Sequence, residues 1–223
     1  MSIKLFFEAI LKFLLGVALV GALIFASAGS FAYLQGWLLM GILFVPMLAA
    51  GVVMMIKSPK LLRSRLDAKE KTKNQDLVIK LSGLMFISGF VLAGLGFRFG
   101  FYILPWWASV LGAVLFLASY VMFAEVLREN TYLSRTIRVE ENQRVVDTGL
   151  YGIVRHPMYS ATLVLFLSMP IVRGSLYSFA IFLAYPFIIS KRIKHEEELL
   201  EKELVGYTEY KQRVKYKLIP FIW

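Results

Sequence analysis

No charged residue occurs between Phe13 and Ile56. A bilayer span needs about 20 apolar residues, so this stretch holds two spans, at about 13–34 and 37–56, with a turn expected near Gln35 and Gly36. Further apolar runs follow at about 81–97, 101–124, 158–172 and 175–190. Polar connections at 57–80 and 125–157 and a polar tail from Lys191 separate and follow them. The pattern predicts an all-α integral membrane protein, a bundle of about five to six transmembrane helices. The last two runs hold only about 15 or 16 residues each and meet at Arg173-Gly174, which predicts a short helical hairpin. Pro46, Pro105, Pro170 and Pro186 are ordinary in membrane helices, where neighbours satisfy freed backbone groups. A cleaved signal peptide fits the N-terminus poorly, because a second span follows directly.

Composition agrees: 58% of the 223 residues are hydrophobic, 18% are charged, and mean hydropathy is +0.66. The net charge of +10 would suggest nucleic acid, but its placement does not. With the N-terminus in the cytoplasm, 23 of the 25 basic residues and all 15 acidic ones fall on the cytoplasmic side, leaving only Arg98 and Arg173 outside. That asymmetry predicts cytoplasmic N- and C-termini, in a cell inner membrane. The basic excess then reads as topology and attraction to anionic membrane lipids. The chain has no cysteine, which excludes disulfides and thiolate chemistry, and only two histidines, His156 and His195, so no metal centre is expected. Residues 1–124 read as the N-terminal membrane helices, and 125–223 as the segment that carries the chemistry.

Polar residues worth weighing concentrate in that second segment. In "GLYGIVRHPMY" (149–159), Pro157 suits the first position of a helix, with His156 at the cap and Arg155 before it. The helix end and Arg155 together predict an anion site, and Gly149 and Gly152 allow a tight turn ahead of it. The plain alternative is a snorkelling arginine and a capping histidine. "KRIKHEEELLEKEL" (191–204) follows the last apolar run without a break and places Arg192 and Glu196 on one helix face. Its plain alternative is a solvated amphipathic surface. The aromatic, basic tail from Gly206 reads as an interfacial anchor that also closes over a site. "ENQRVVDTGLY" (141–151) has turn residues at Asp147 and Thr148 and suits a loop lining a pocket.

Taken in order, Gln143-Arg144-Val145-Val146, Gly149-x-Tyr151, Arg155-His156-Pro157-x-Tyr159, a short apolar hairpin, Arg192, Glu196-Glu197 and Gly206-x-x-x-Tyr210 resemble the isoprenylcysteine carboxyl methyltransferase family. That family shares its C-terminal core with membrane phospholipid N-methyltransferases. The resemblance covers about 141–223; the earlier spans match only in being hydrophobic. It implies a membrane enzyme that uses S-adenosyl-L-methionine in a cytoplasm-facing pocket, without a metal, and releases S-adenosyl-L-homocysteine. Carried over, Gln143, Arg144, Val145, Val146, Tyr151, Arg155, His156, Pro157, Met158 and Tyr159 would contact the cofactor, and Glu196 would hold it from the other helix. Arg192 would face a lipophilic methyl acceptor entering from the bilayer. The family's acidic run is interrupted here by Lys194-His195.

Methyl transfer needs positioning and water exclusion more than acid–base groups, so the scarcity of histidine is no obstacle. A carboxylate acceptor would pair with Arg192. An amine acceptor would need a base, with Glu197 or a tyrosine as candidates. The leading expectation is isoprenylcysteine-type carboxyl O-methylation, with lipid-amine N-methylation as its alternative. A nicotinamide-dependent lipid reductase would need a larger basic cluster, and a transporter would need ionisable residues at mid-membrane, where the spans are almost bare of charge.

Overall fold

A computed structural model describes residues 3–66, 73–101, 103–130, 132, 139 and 141–223. Lys69, Lys71, Arg135 and Arg138, part of the basic excess expected on one side, lie outside these residues. The described chain forms α1 (Ile3–Ala28), α2 (Leu34–Lys57), α3 (Pro59–Leu66), α4 (Lys73–Arg98), α5 (Trp106–Glu129), α6 (Pro157–Val172), α7 (Leu176–Phe182), α8 (Tyr185–Glu203) and α9 (Tyr207–Arg213), with a 3-10 turn at Gly149–Gly152. Among the described residues, five stretches are long and apolar enough to cross a membrane: α1, α2, Leu77–Arg98 of α4, α5, and Leu176–Glu203 across α7 and α8. The all-helical membrane bundle is as expected. Only 11% of the apolar windows of α1 and α2 is buried, so these helices turn most of their aliphatic surface outward, as suits lipid contact.

Three boundaries differ from the sequence reading. The first turn comes earlier, at Gly29 (φ +64), and α2 begins at Leu34. Gly36 lies inside α2, where a Cβ would stand 2.8 Å from Ile24 Cγ2. Its lack of a side chain serves close helix approach, which an apolar run does not distinguish from a turn. The fourth run loses its start: Pro105 caps α5, and Ile103 forms an isolated antiparallel bridge to Ser175. The sixth run breaks after Phe182, where Pro186 in the first turn of α8 has no N–H to give; α8 then continues through Lys191 to Glu203, as the unbroken sequence predicts. The resulting two-part helix is 28 residues long. α6, at 16 residues, rises about 24 Å and remains short of the ~30 Å hydrocarbon core.

Arg173, at the turn between the last two apolar runs, is 1% exposed. Its guanidinium sits 4.0 Å from the Phe90 ring centroid, donates to Ser178 Oγ (3.0 Å) and donates to the Gly89 carbonyl (3.3 Å). Ser178 Oγ donates to the same carbonyl (2.8 Å), and Tyr33 Oη donates to the Arg173 carbonyl (2.6 Å). Carbonyls, a hydroxyl and a ring face thus hold the charge, and they tie α4, the α6–α7 turn, α7 and the start of α2 together.

α6 carries the first part of the candidate site and packs against α5. At Gly112 a Cβ would lie 2.8 Å from the Val172 backbone nitrogen and 3.0 Å from Ile171 Cγ2. Gly112→Val is therefore expected to cost about 1–3 kcal/mol through overpacking, read as a lower thermal midpoint in detergent. Gly41→Ala, where a Cβ meets nothing within 4 Å, should leave the midpoint in place or raise it.

Candidate functional site

The charged ends of α6 and α8 meet beside the loop 141–156 and the C-terminal tail, forming a cleft of about 830 Å³ counting its mouth. Gln143, Arg144, Val145, Val146, Tyr151, Arg155, His156, Pro157, Met158, Tyr159, Arg192 and Glu196 all line it. Glu197, the remaining expected residue, does not.

The loop is shaped from below. Gly149 adopts φ +54, and Thr148 Oγ1 donates to Glu129 Oε2 at 2.5 Å. Tyr151 Oη accepts from Asn130 Nδ2 (2.9 Å) at the end of α5, while the Tyr151 carbonyl accepts from Tyr210 Oη (2.8 Å). The tail then runs beside Arg155 and His156. Their backbone N–H groups donate to the carbonyls of Tyr216 (2.9 Å) and Lys217 (3.0 Å), and Ser160 Oγ donates to the Leu218 carbonyl (2.7 Å). Arg155 Nη1 donates to the carbonyls of Val214 (2.7 Å) and Lys215 (2.8 Å). Expected as an interfacial anchor, the tail is also the scaffold of this turn.

Adjacent glutamates on α8 point to different tasks because neighbouring helical residues diverge by about 100°. Glu197 is buried: its Oε1 accepts from Arg155 Nε (2.7 Å) and lies 3.2 Å from His156 Nε2, while Lys217 Nζ stands 3.2 Å from its Oε2. Glu196 faces the cleft. Tyr159 Oη donates to Glu196 Oε2 (2.5 Å) and accepts from Arg192 Nε (2.8 Å), so the i,i+4 pair shares one phenol from α6. Glu196 Oε1 is 4.0 Å from His156 Nδ1.

The helix end is less open than its sequence suggests. His156 occupies the cap position of α6 without a side-chain cap. Pro157 has no N–H, and the N–H groups of Tyr159 and Ser160 return to the His156 carbonyl. Of the first turn, the Met158 N–H is left to point at a ligand.

Tyr207 lines the cleft and was not singled out by its sequence, where the tail's aromatics read as interfacial. It is 4% exposed, and its hydroxyl is buried without a hydrogen-bond partner among the described residues. Burial, then the nearby Glu197 and Glu196, push its pKa well above the usual tyrosine value, so it stays a protonated donor. Burial likewise lifts Tyr151 to about 12. The three-residue spacing from Tyr210, both buried on α9 after the left-handed Gly206, was the signal available. Asn130, Leu200 and Leu204 also line the cleft unforeseen.

Removing one member of a buried ion pair strands its partner, at a cost of about 3–5 kcal/mol. Glu197→Ala is expected to lower the thermal midpoint by at least as much as Gly112→Val. Deleting 214–223 should open the Arg155 turn, which limited proteolysis would detect as new cleavage between 141 and 156.

Residues 107–204 match the family model described as Phospholipid methyltransferase. The chain is 33% identical over 128 residues to Protein-S-isoprenylcysteine O-methyltransferase B of Arabidopsis thaliana, covering 52% of this chain and 61% of that enzyme. Over 91 residues it is 26% identical to a Delta(14)-sterol reductase of Mus musculus, covering 40% of this chain and 22% of the reductase. The chain thus spans about three fifths and about one fifth of the lengths of these two relatives. Its fold is similar to a solved eukaryotic intramembrane Ras methyltransferase (isoprenylcysteine carboxyl methyltransferase), with TM-score 0.61 at 19% identity, covering 96% of this chain and 77% of that one. In sequence the chain is thus similar to an isoprenylcysteine O-methyltransferase over about half its length, and its all-helical membrane fold is similar to that of a solved isoprenylcysteine carboxyl methyltransferase.

Proposed function

We propose that the protein is an S-adenosyl-L-methionine-dependent membrane methyltransferase, with its cofactor in the cleft and a lipophilic acceptor arriving from the bilayer. One observation carries the reading: elements scattered from Gln143 to Tyr207 converge on a single cleft that is polar at Glu196 and His156 and apolar at Val145, Val146, Leu200 and Leu204. The donor set fits the cofactor. Glu196 offers an acceptor for an amine or ribose hydroxyls, Val145 and Leu200 suit an adenine face, and the orphaned Tyr207 hydroxyl offers a donor. When bound, the cofactor would supply an electrophilic methyl group on sulfur. Tyr159 holds Arg192 and Glu196 in place, so Arg192 presents its guanidinium to the acceptor while Glu196 faces the cofactor side.

The acceptor we favour is a lipid-linked carboxylate, as in isoprenylcysteine carboxyl O-methylation. Arg192 would orient such an oxygen, and no proton need be removed. Lipid-amine N-methylation, the alternative, needs a base. Glu197 suits that role poorly, because Arg155, His156 and Lys217 already engage its oxygens. We assign it instead as a positioning residue for Arg155 and His156. The cleft would face the cytoplasm of an inner-membrane protein, the side favoured by the basic residues, with 125–223 as the part that carries the chemistry.

The test is calorimetric binding of S-adenosyl-L-homocysteine to the detergent-purified protein. Micromolar binding is expected, weakened tenfold or more by Glu196→Gln and by His156→Ala in folded variants. A well-folded wild type that binds none of it overturns the proposal. Binding of NADPH instead would favour a reductase, the reading that the likeness to the sterol reductase keeps in view.

A further inference from the structure

We infer that the Tyr207 hydroxyl is a hydrogen-bond donor to the carboxylate at the amino-acid end of the methyl donor. The inference rests on the proposed function and gives one residue of its cleft a task.

An unpaired buried hydroxyl is costly, so a tyrosine 4% exposed whose hydroxyl has no partner among the described residues needs a reason. The hydroxyl is not needed for packing, since Phe fills the same space. α9 does not depend on it either: Tyr210, one turn away, uses its own hydroxyl on the Tyr151 carbonyl. The missing partner is therefore something the cleft receives.

What it receives must accept a hydrogen bond, because Tyr207 stays protonated beside Glu196 and Glu197. The methyl donor's amine and ribose hydroxyls are donors that suit Glu196. Its carboxylate needs donors, and several of the obvious ones are committed. Arg155 spends Nε on Glu197 and Nη1 on two tail carbonyls, so its charge is already balanced. The N-terminus of α6 offers the Met158 N–H alone from its first turn. Tyr207 is a buried hydroxyl donor with no partner among the described residues. Arg144 lines the same cleft from an exposed position, with no hydrogen bond or ion pair among the described residues. It would add a screened positive charge without the cost of burying one.

The experiment compares two ligands on wild type and Tyr207→Phe, both as full-length protein in detergent. One is S-adenosyl-L-homocysteine. The other is its decarboxylated analogue, 5′-deoxy-5′-(3-aminopropylthio)adenosine, which keeps the amine and thioether and lacks the carboxylate, measured by competition where direct titration is weak. Tyr207→Phe should weaken S-adenosyl-L-homocysteine roughly tenfold or more while leaving the analogue at its wild-type affinity. The thermal midpoint without ligand should stay level or rise, since the substitution removes an unsatisfied group. An equal loss for both ligands, or no loss for either, overturns the inference and leaves the proposed function standing. A lowered midpoint without ligand also overturns it, because the hydroxyl would then already serve the fold. A folded wild type that binds neither ligand overturns the proposed function itself.

Discussion

The charged end of this protein depends on one buried ion pair, Arg155 with Glu197. Both side chains are about 95% buried, where an unpaired charge would be untenable. Pairing satisfies one edge of the guanidinium, and the carbonyls of Val214 and Lys215 satisfy another. The consequence is topological. The pair fixes the turn before α6 to α8, and through the tail carbonyls to the chain's end, so three segments distant in sequence are brought into register. Such a pair adds less net stability than its short distance suggests, because desolvation offsets the attraction. Its contribution is to make any other arrangement of the three segments costly.

From that constraint the geometry of the cleft follows. Once Glu197 faces inward, the helical twist directs Glu196 toward α6, where Tyr159 meets it. Arg192, one turn earlier, meets the same phenol. The ring of His156 stacks on that of Tyr159, with centroids 5.7 Å apart, so the histidine is confined between the two glutamates. A site held this way loses little order when a ligand enters, which matters where the chemistry relies on positioning.

At the opposite end Arg173 performs a related task without a carboxylate among the described residues. Gly89 and Ser178, a ring face and a backbone link from Tyr33 fix the turn between α6 and α7. α6 is thus anchored at both ends by a buried arginine, one on each side of its short apolar stretch. That offers a physical account of how 16 residues hold their place in a bundle of longer helices. Gly112, against Val172, allows α5 to close on it from the side.

Hydropathy alone identified the membrane bundle, because a span must be apolar whatever it packs against. Pattern likewise drew attention to the polar residues between Gln143 and Glu197, since charge beside a long apolar run is rare unless it has partners. The ordered RHPxY and Glu-Glu elements carried the family likeness. Pattern could not say which glutamate would be spent on the fold, because Glu196 and Glu197 are identical in type and adjacent in sequence; only the position of Arg155 separates them. Nor could it tell Gly36 as a packing glycine from a turn glycine, or show that Arg173 is a buried clamp. Tyr207 stayed hidden for the same reason. A tyrosine near a membrane is usually an interfacial residue, and an unpaired hydroxyl exists only once every neighbour has been placed. Local physics determined the elements, whereas partner choice among like residues depends on distances that only the folded chain sets.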